Sequence, residues 1–177
     1  FRGEETVVVE VTEPTTTVKE NAAELEVQSC RVTLRTGEVF IPSETAFDEG
    51  AETVTFHFDS TLPAGEASLE LAFTGQLNDK LRGFYRSRYL DGDGVERYLA
   101  TTQFEATDAR RAFPCWDEPA LKAVFKVGLV VPSDMAVVSN MPVASEVDEP
   151  GGLKRVEFAH SPVMSTYLLA FVVGDLG

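Results

Sequence analysis

Period-two alternation of apolar residues, interrupted at short intervals by turn signals, predicts an all-β fold of mostly antiparallel packed sheets. Val7, Val9 and Val11 share one face, opposite Glu10 and Thr12. Leu25 and Val27 alternate with Glu24, Glu26 and Gln28, and Val32 and Leu34 with Arg31, Thr33 and Arg35. Val54, Phe56 and Phe58 alternate with Thr53, Thr55 and His57, and Leu69, Leu71 and Phe73 with Ser68, Glu70 and Thr74. Each run places one face in a core and leaves the other in water. Thr36-Gly37, Glu49-Gly50, Pro63-Ala64-Gly65 and Pro150-Gly151-Gly152 supply turns. Asp91-Gly92-Asp93-Gly94, set between Tyr89-Leu90 and Val95 to Leu99, reads as a hairpin. Further strands are expected over 124–131, 136–139, 155–158 and 167–173. Short strands with spaced turns indicate a sandwich or several packed sheets.

Residues 105–123, EATDARRAFPCWDEPALKA, break this rhythm. The segment lacks alternation and carries two prolines and the single tryptophan, Trp116. Thr107 or Asp108 is placed to cap a short helical turn, and Asp117 another ahead of Pro119. It reads as a structured loop held by aromatic anchors.

The 177 residues suffice for one compact domain, and a single β-rich domain over 1–177 is expected. A domain of this size buries roughly 70% of its unfolded surface, enough for a real core. Apolar residues make up 44% and charged residues 25%, as in ordinary globular proteins. The charge is one-sided: 15 Lys+Arg against 29 Asp+Glu, net −14. Such a surface repels phosphate backbones, which excludes nucleic acid as a partner, and it favours solubility. No apolar run reaches the length of a membrane span. Two cysteines, Cys30 and Cys115, fit buried free thiols in a reducing compartment better than a disulfide framework. A start at Phe1 and an abrupt finish point to a chain cut from a longer one, without a signal peptide.

Chemistry is scarce. A catalytic zinc needs three protein ligands, commonly two histidines one helical turn apart. Only His57 and His160 are present, far apart in sequence. G-x-S-x-G and phosphate-binding glycine loops are absent, and Cys115 between Pro114 and Trp116 suits packing. What remains is Thr102-Gln103-Phe104-Glu105 at a strand end. With Phe104 turned inward, Gln103 and Glu105 share the opposite face, an amide beside a carboxylate that together can hold an ammonium group. By the residues alone, pairing of Glu105 with Arg110 or Arg111, or plain solvation, is the favoured reading.

The stretch TQFEATDARRAFPCWDEPALKAVF, residues 102–125, resembles the amino-terminal domain of M1-family zinc aminopeptidases. GQLNDKLRGFYRSRY at 75–89, SNMPV at 139–143 and SPVMSTYLLAFVVGDL at 161–176 extend the likeness. The resemblance implies a saddle of mostly antiparallel sheets ahead of a catalytic domain, and a cytoplasmic enzyme. It implies that Glu105 binds the free α-amino group of a peptide substrate and that Gln103 shapes the first side-chain pocket. It implies zinc in the full-length enzyme only. The H-E-x-x-H helix, the distal glutamate ligand and the G-x-M-E-N loop of the family are missing, so these 177 residues are expected to bind no metal and to be inactive alone. It also implies one more strand ahead of Phe1, whose lack leaves a sheet edge open. Arg110, Arg111, Cys115, Trp116, Asp117 and Glu118 read as scaffolding, with Trp116 a buried anchor and Arg111 paired to Asp117 or Glu118.

Two other readings compete. A stand-alone adhesion or carbohydrate-binding sandwich fits the strands, although the order Cys30, Cys115, Trp116 is not that of immunoglobulin domains. A self-contained carboxylate hydrolase is the third.

Overall fold

The computed structural model describes residues 1–175, and among them strands dominate and no α-helix occurs. Leu176, the last residue of the 161–176 likeness, lies outside the described residues. Contacts fall into two compact units, Phe1–Gln76 with Arg110–Trp116, and Leu77–Ala109 with Asp117–Gly177.

The first unit is a sandwich of two sheets. β1 (Arg2–Val11), β7 (Gly65–Gly75), β3 (Leu25–Leu34) and β4 (Val39–Phe40) form one sheet in the order β1-β7-β3-β4. β2 (Thr15–Asn21), β6 (Thr53–Leu62) and β5 (Glu44–Asp48) form the other, in the order β2-β6-β5. All these pairs are antiparallel. Leu69, Leu71 and Phe73 from the first sheet and Val54, Phe56 and Phe58 from the second belong to one buried cluster, as the alternation required. The two short runs at Leu25-Val27 and Val32-Leu34 prove to be one strand. A bulge between Val27 and Ser29 inserts a residue, so the inward face passes from odd to even positions and continues through Cys30, Val32 and Leu34. Gly65 turns β6 into β7 at φ +135, open to glycine alone. At Gly3 the Phe73 ring occupies the space a Cβ would need.

The second unit holds the expected hairpin. β8 (Gly83–Leu90) and β9 (Glu96–Gln103) are joined by a turn in which Asp91 Oδ1 accepts from the backbone N–H of Asp93 and Val95. β16 (Phe171–Gly174) and β12 (Ala136–Ser139) complete the sheet in the order β12-β16-β9-β8. A three-stranded sheet comprises β11 (Gly128–Pro132), β14 (Leu153–Phe158) and β13 (Val143–Glu149), and β10 (Lys122–Ala123) pairs with β15 (Met164–Ser165).

Three expectations fail, each because side chains take over backbone partners or a turn intervenes. The strand expected over 167–173 starts only at Phe171, after a 3-10 turn at Thr166–Leu168. Asn140 donates to Leu168 O and accepts from Ala170 N, each at 2.8 Å, and Ser139 Oγ donates to Ala170 O, so no ladder forms there. The strand expected over 124–131 starts at Gly128, because Phe125 N donates to Ser161 Oγ at 2.9 Å. A helical turn does follow Asp108, at Ala109–Arg111. None follows Asp117, where Leu121 N closes a turn on Glu118 O.

Candidate functional site

Gln103 ends β9, a central strand with β8 on one side and β16 on the other. Its position is fixed by the ladder pair Gly83↔Gln103 and by Thr102, whose Oγ accepts from Phe171 N at 3.0 Å. Phe104 then turns inward and is 2% exposed, its ring meeting that of Phe171 edge-on with centroids 6.3 Å apart. Phe171 also packs on Phe84 at 5.0 Å. Such aromatic contacts hold geometry more tightly than aliphatic ones, because ring orientation matters. Phe104 O accepts from Asp108 N at 2.9 Å, which closes the bend. The peptide between Glu105 and Ala106 is cis.

Gln103 and Glu105 are therefore both exposed, flanking a buried ring, as the sequence predicted. Among the described residues neither side chain is hydrogen bonded or ion-paired. The two arginines that the sequence offered to Glu105 are engaged elsewhere. Arg110 meets Glu52 at 3.4 Å, and Arg111 pairs with Glu24 at 2.8 Å and with Glu52. Glu105 thus presents a carboxylate with all its lone pairs available to an incoming cation. A cleft of about 810 Å³ does exist, but it lies within the first unit and contains neither residue.

Residues 110–116 are held to the first unit at several points. Asn21 and Cys115 exchange backbone hydrogen bonds, Ala23 N donates to Arg110 O, and Phe113 and Trp116 pack on the sandwich core. Trp116 is half-buried, and both cysteines are buried thiols outside any disulfide. Arg111 is buried, and its carboxylate partners come from Glu24 and Glu52, a long-range pairing that no local spacing signals. Arg111→Ala is expected to cost about 2–3 kcal/mol, below the value for a fully buried pair because Glu24 and Glu52 remain partly solvated. Urea unfolding followed by Trp116 fluorescence measures it, and a change within error would show that the loop is held by packing alone.

Among the described residues, no group of three His, Cys, Asp or Glu side chains is arranged to hold a metal. Among the described residues no helix is long and apolar enough to cross a membrane. The residues at hand do not fit a zinc centre, and no chemical step here runs through one.

The Peptidase M1 N-terminal domain family matches residues 1–168. Aminopeptidase M1-C of Oryza sativa subsp. japonica is 48% identical over 174 residues, covering 98% of this chain and 19% of the relative. Puromycin-sensitive aminopeptidase of Caenorhabditis elegans is 44% identical over 177 residues, covering 99% of the chain and 19% of the relative. Aminopeptidase N of Acetobacter pasteurianus is 40% identical over 174 residues, covering 98% and 48%. The chain thus spans about a fifth of the length of the plant and nematode relatives.

Proposed function

We propose, since this chain belongs to the Peptidase M1 N-terminal domain family, that it is the peptide-anchoring part of a cytoplasmic zinc aminopeptidase. In this reading Glu105 receives the α-ammonium group of the substrate, and Gln103 beside it contributes to the pocket for the first side chain. The metal and the residues that activate water come from the catalytic domain of the same polypeptide. The observation that carries the reading is an exposed carboxylate without a partner, held by a buried aromatic at the end of a central strand. A fixed negative group sets where the peptide begins, so only the first peptide bond reaches the reacting groups.

The strands by themselves suit a stand-alone binding module equally well. The family match over 1–168 favours the peptidase. The test uses the longer polypeptide and pairs an aminoacyl substrate with its N-acetyl counterpart, which lacks the charge. Hydrolysis of the free amine and little of the acetylated form is expected. Equal turnover of both would remove any role for a carboxylate anchor.

A further inference from the structure

Two acids in the first unit occupy positions where the sheet pattern calls for hydrocarbon. Glu5 is in phase with Val7, Val9 and Val11 on β1, whose inward face packs on the core. Glu20 on β2 is 1% exposed. Across the first sheet Glu5 is the register partner of Leu71, and Leu71 that of Cys30, so a carboxyl, a leucine and a thiol form one row. Glu20, in phase with Val18 on the other sheet, faces the buried cluster to which Leu71 and Cys30 of that row belong. Neither oxygen of Glu20, nor Oε1 of Glu5, has a hydrogen-bond partner.

Among the described residues no cation is bonded to this cluster, and Arg2, which lines the same cleft as Glu5, is paired with Glu4 at 2.8 Å. On β6 the flanking buried residues are Val54 and Phe56, and His57 takes the opposite face. Lys19 takes the outer face of β2. On β7 and β3, Glu70 and Arg31 pair with each other at 2.6 Å on the outer face. Glu44 and Asp48 of β5 are exposed, and β4 has no charged residue. From the loop, Arg110 and Arg111 are bound to Glu24 and Glu52, and Cys115 is a buried thiol. An isolated carboxylate in such surroundings is costly, whereas the protonated acid is tolerated. Burial accordingly pushes Glu20 up to about 8. Burial, with the nearby charge of Glu20, pushes Glu5 up to about 9. Burial first, and then Glu20, pushes the Cys30 thiol up to about 12, so it stays protonated throughout.

We propose that Glu5 and Glu20 form a proton-operated latch in the core of the first unit, which closes with both carboxyls protonated and loosens as they ionise. Glu5 lines the open cleft of about 810 Å³, which gives solvent a route to that member of the pair, while Glu20 stays fully buried. The folded state holds protons that the unfolded chain releases above the ordinary carboxylate range. The stabilisation is therefore complete below the ordinary glutamate value of 4.5, falls as pH rises, and is lost through about 8 and about 9.

The experiment follows Trp116 fluorescence in the full chain during thermal unfolding at several pH values. Trp116 is the single tryptophan and packs on this core. The midpoint is expected to fall by on the order of 10 °C between about pH 6 and about pH 9. Glu5→Val with Glu20→Leu should raise the midpoint and flatten the profile. Glu5→Gln with Glu20→Gln should flatten it without that gain. Profiles of the unaltered chain and both variants that run parallel would overturn the proposal. Refolding the unaltered chain near neutral pH with an indicator dye needs no variant. Ordinary carboxylates are ionised in both states there, so uptake of about two protons per chain is expected. No uptake, or release, would equally overturn the latch.

Discussion

Glu105→Ala in the full-length polypeptide is expected to lower kcat/KM for free-amine aminoacyl substrates by about 10- to 100-fold. Hydrogen bonds to a charged group are worth roughly 1.5–3 kcal/mol, and each 1.4 kcal/mol is about tenfold. Glu105 has no partner among the described residues, so its removal strands no other protein group and the loss falls on substrate alone. The split between constants carries the mechanism. An anchor that holds ground state and transition state equally raises KM alone. An anchor that also sets which bond meets the reacting groups lowers kcat as well, because misplacement forfeits orientation. We expect both. Glu105→Gln should retain part of the activity through its carbonyl oxygen, and N-acetylated substrates should be indifferent to either change. A Glu105→Ala enzyme with unaltered kcat/KM would show that the amine is bound elsewhere.

The strands that were legible in the sequence are those with a wet face and a dry face. The β6, β7 and hairpin patterns matched because alternation and turn chemistry act locally. The failures at 124–131 and 167–173 were tertiary: Ser161 and Asn140 are distant in sequence from the backbone they satisfy, and no period reports them. β13 was missed because nearly all its residues are exposed, so it has no apolar face to read. Glu105 came into view as an acid next to an inward aromatic at a strand end, which is a local pattern, but its part as an amine anchor came from the family resemblance and not from that pattern. The pairing of Arg111 with Glu24 and Glu52 was hidden for the opposite reason. Glu5 was not singled out, although it continues the odd-numbered face of Val7, Val9 and Val11, because its meaning emerges only with Glu20 placed across the core.

Phe104→Ala is expected to destabilise the second unit by about 3–5 kcal/mol, the usual cost of emptying a buried phenylalanine site. The residue is 2% exposed, and its loss leaves the Phe171 ring without its edge-on neighbour. Thr102 and Phe84 fix Phe171 from other sides, which limits collapse into the space and keeps the cost high. Urea unfolding of the full chain, monitored by far-UV circular dichroism and by Phe104-region amide exchange, measures the loss. Phe104→Leu refills most of the volume and should cost much less. The comparison with Glu105→Ala separates support from chemistry. An exposed carboxylate with no partner contributes little to folding, so Glu105→Ala should leave the unfolding midpoint in place while activity falls. Phe104→Ala should lower the midpoint and, because Gln103 and Glu105 flank the lost ring, activity too, even where the protein stays folded. If Phe104→Ala proved neutral in stability, the bend would be held by its backbone alone, and the aromatic anchor would have no part in aiming Glu105.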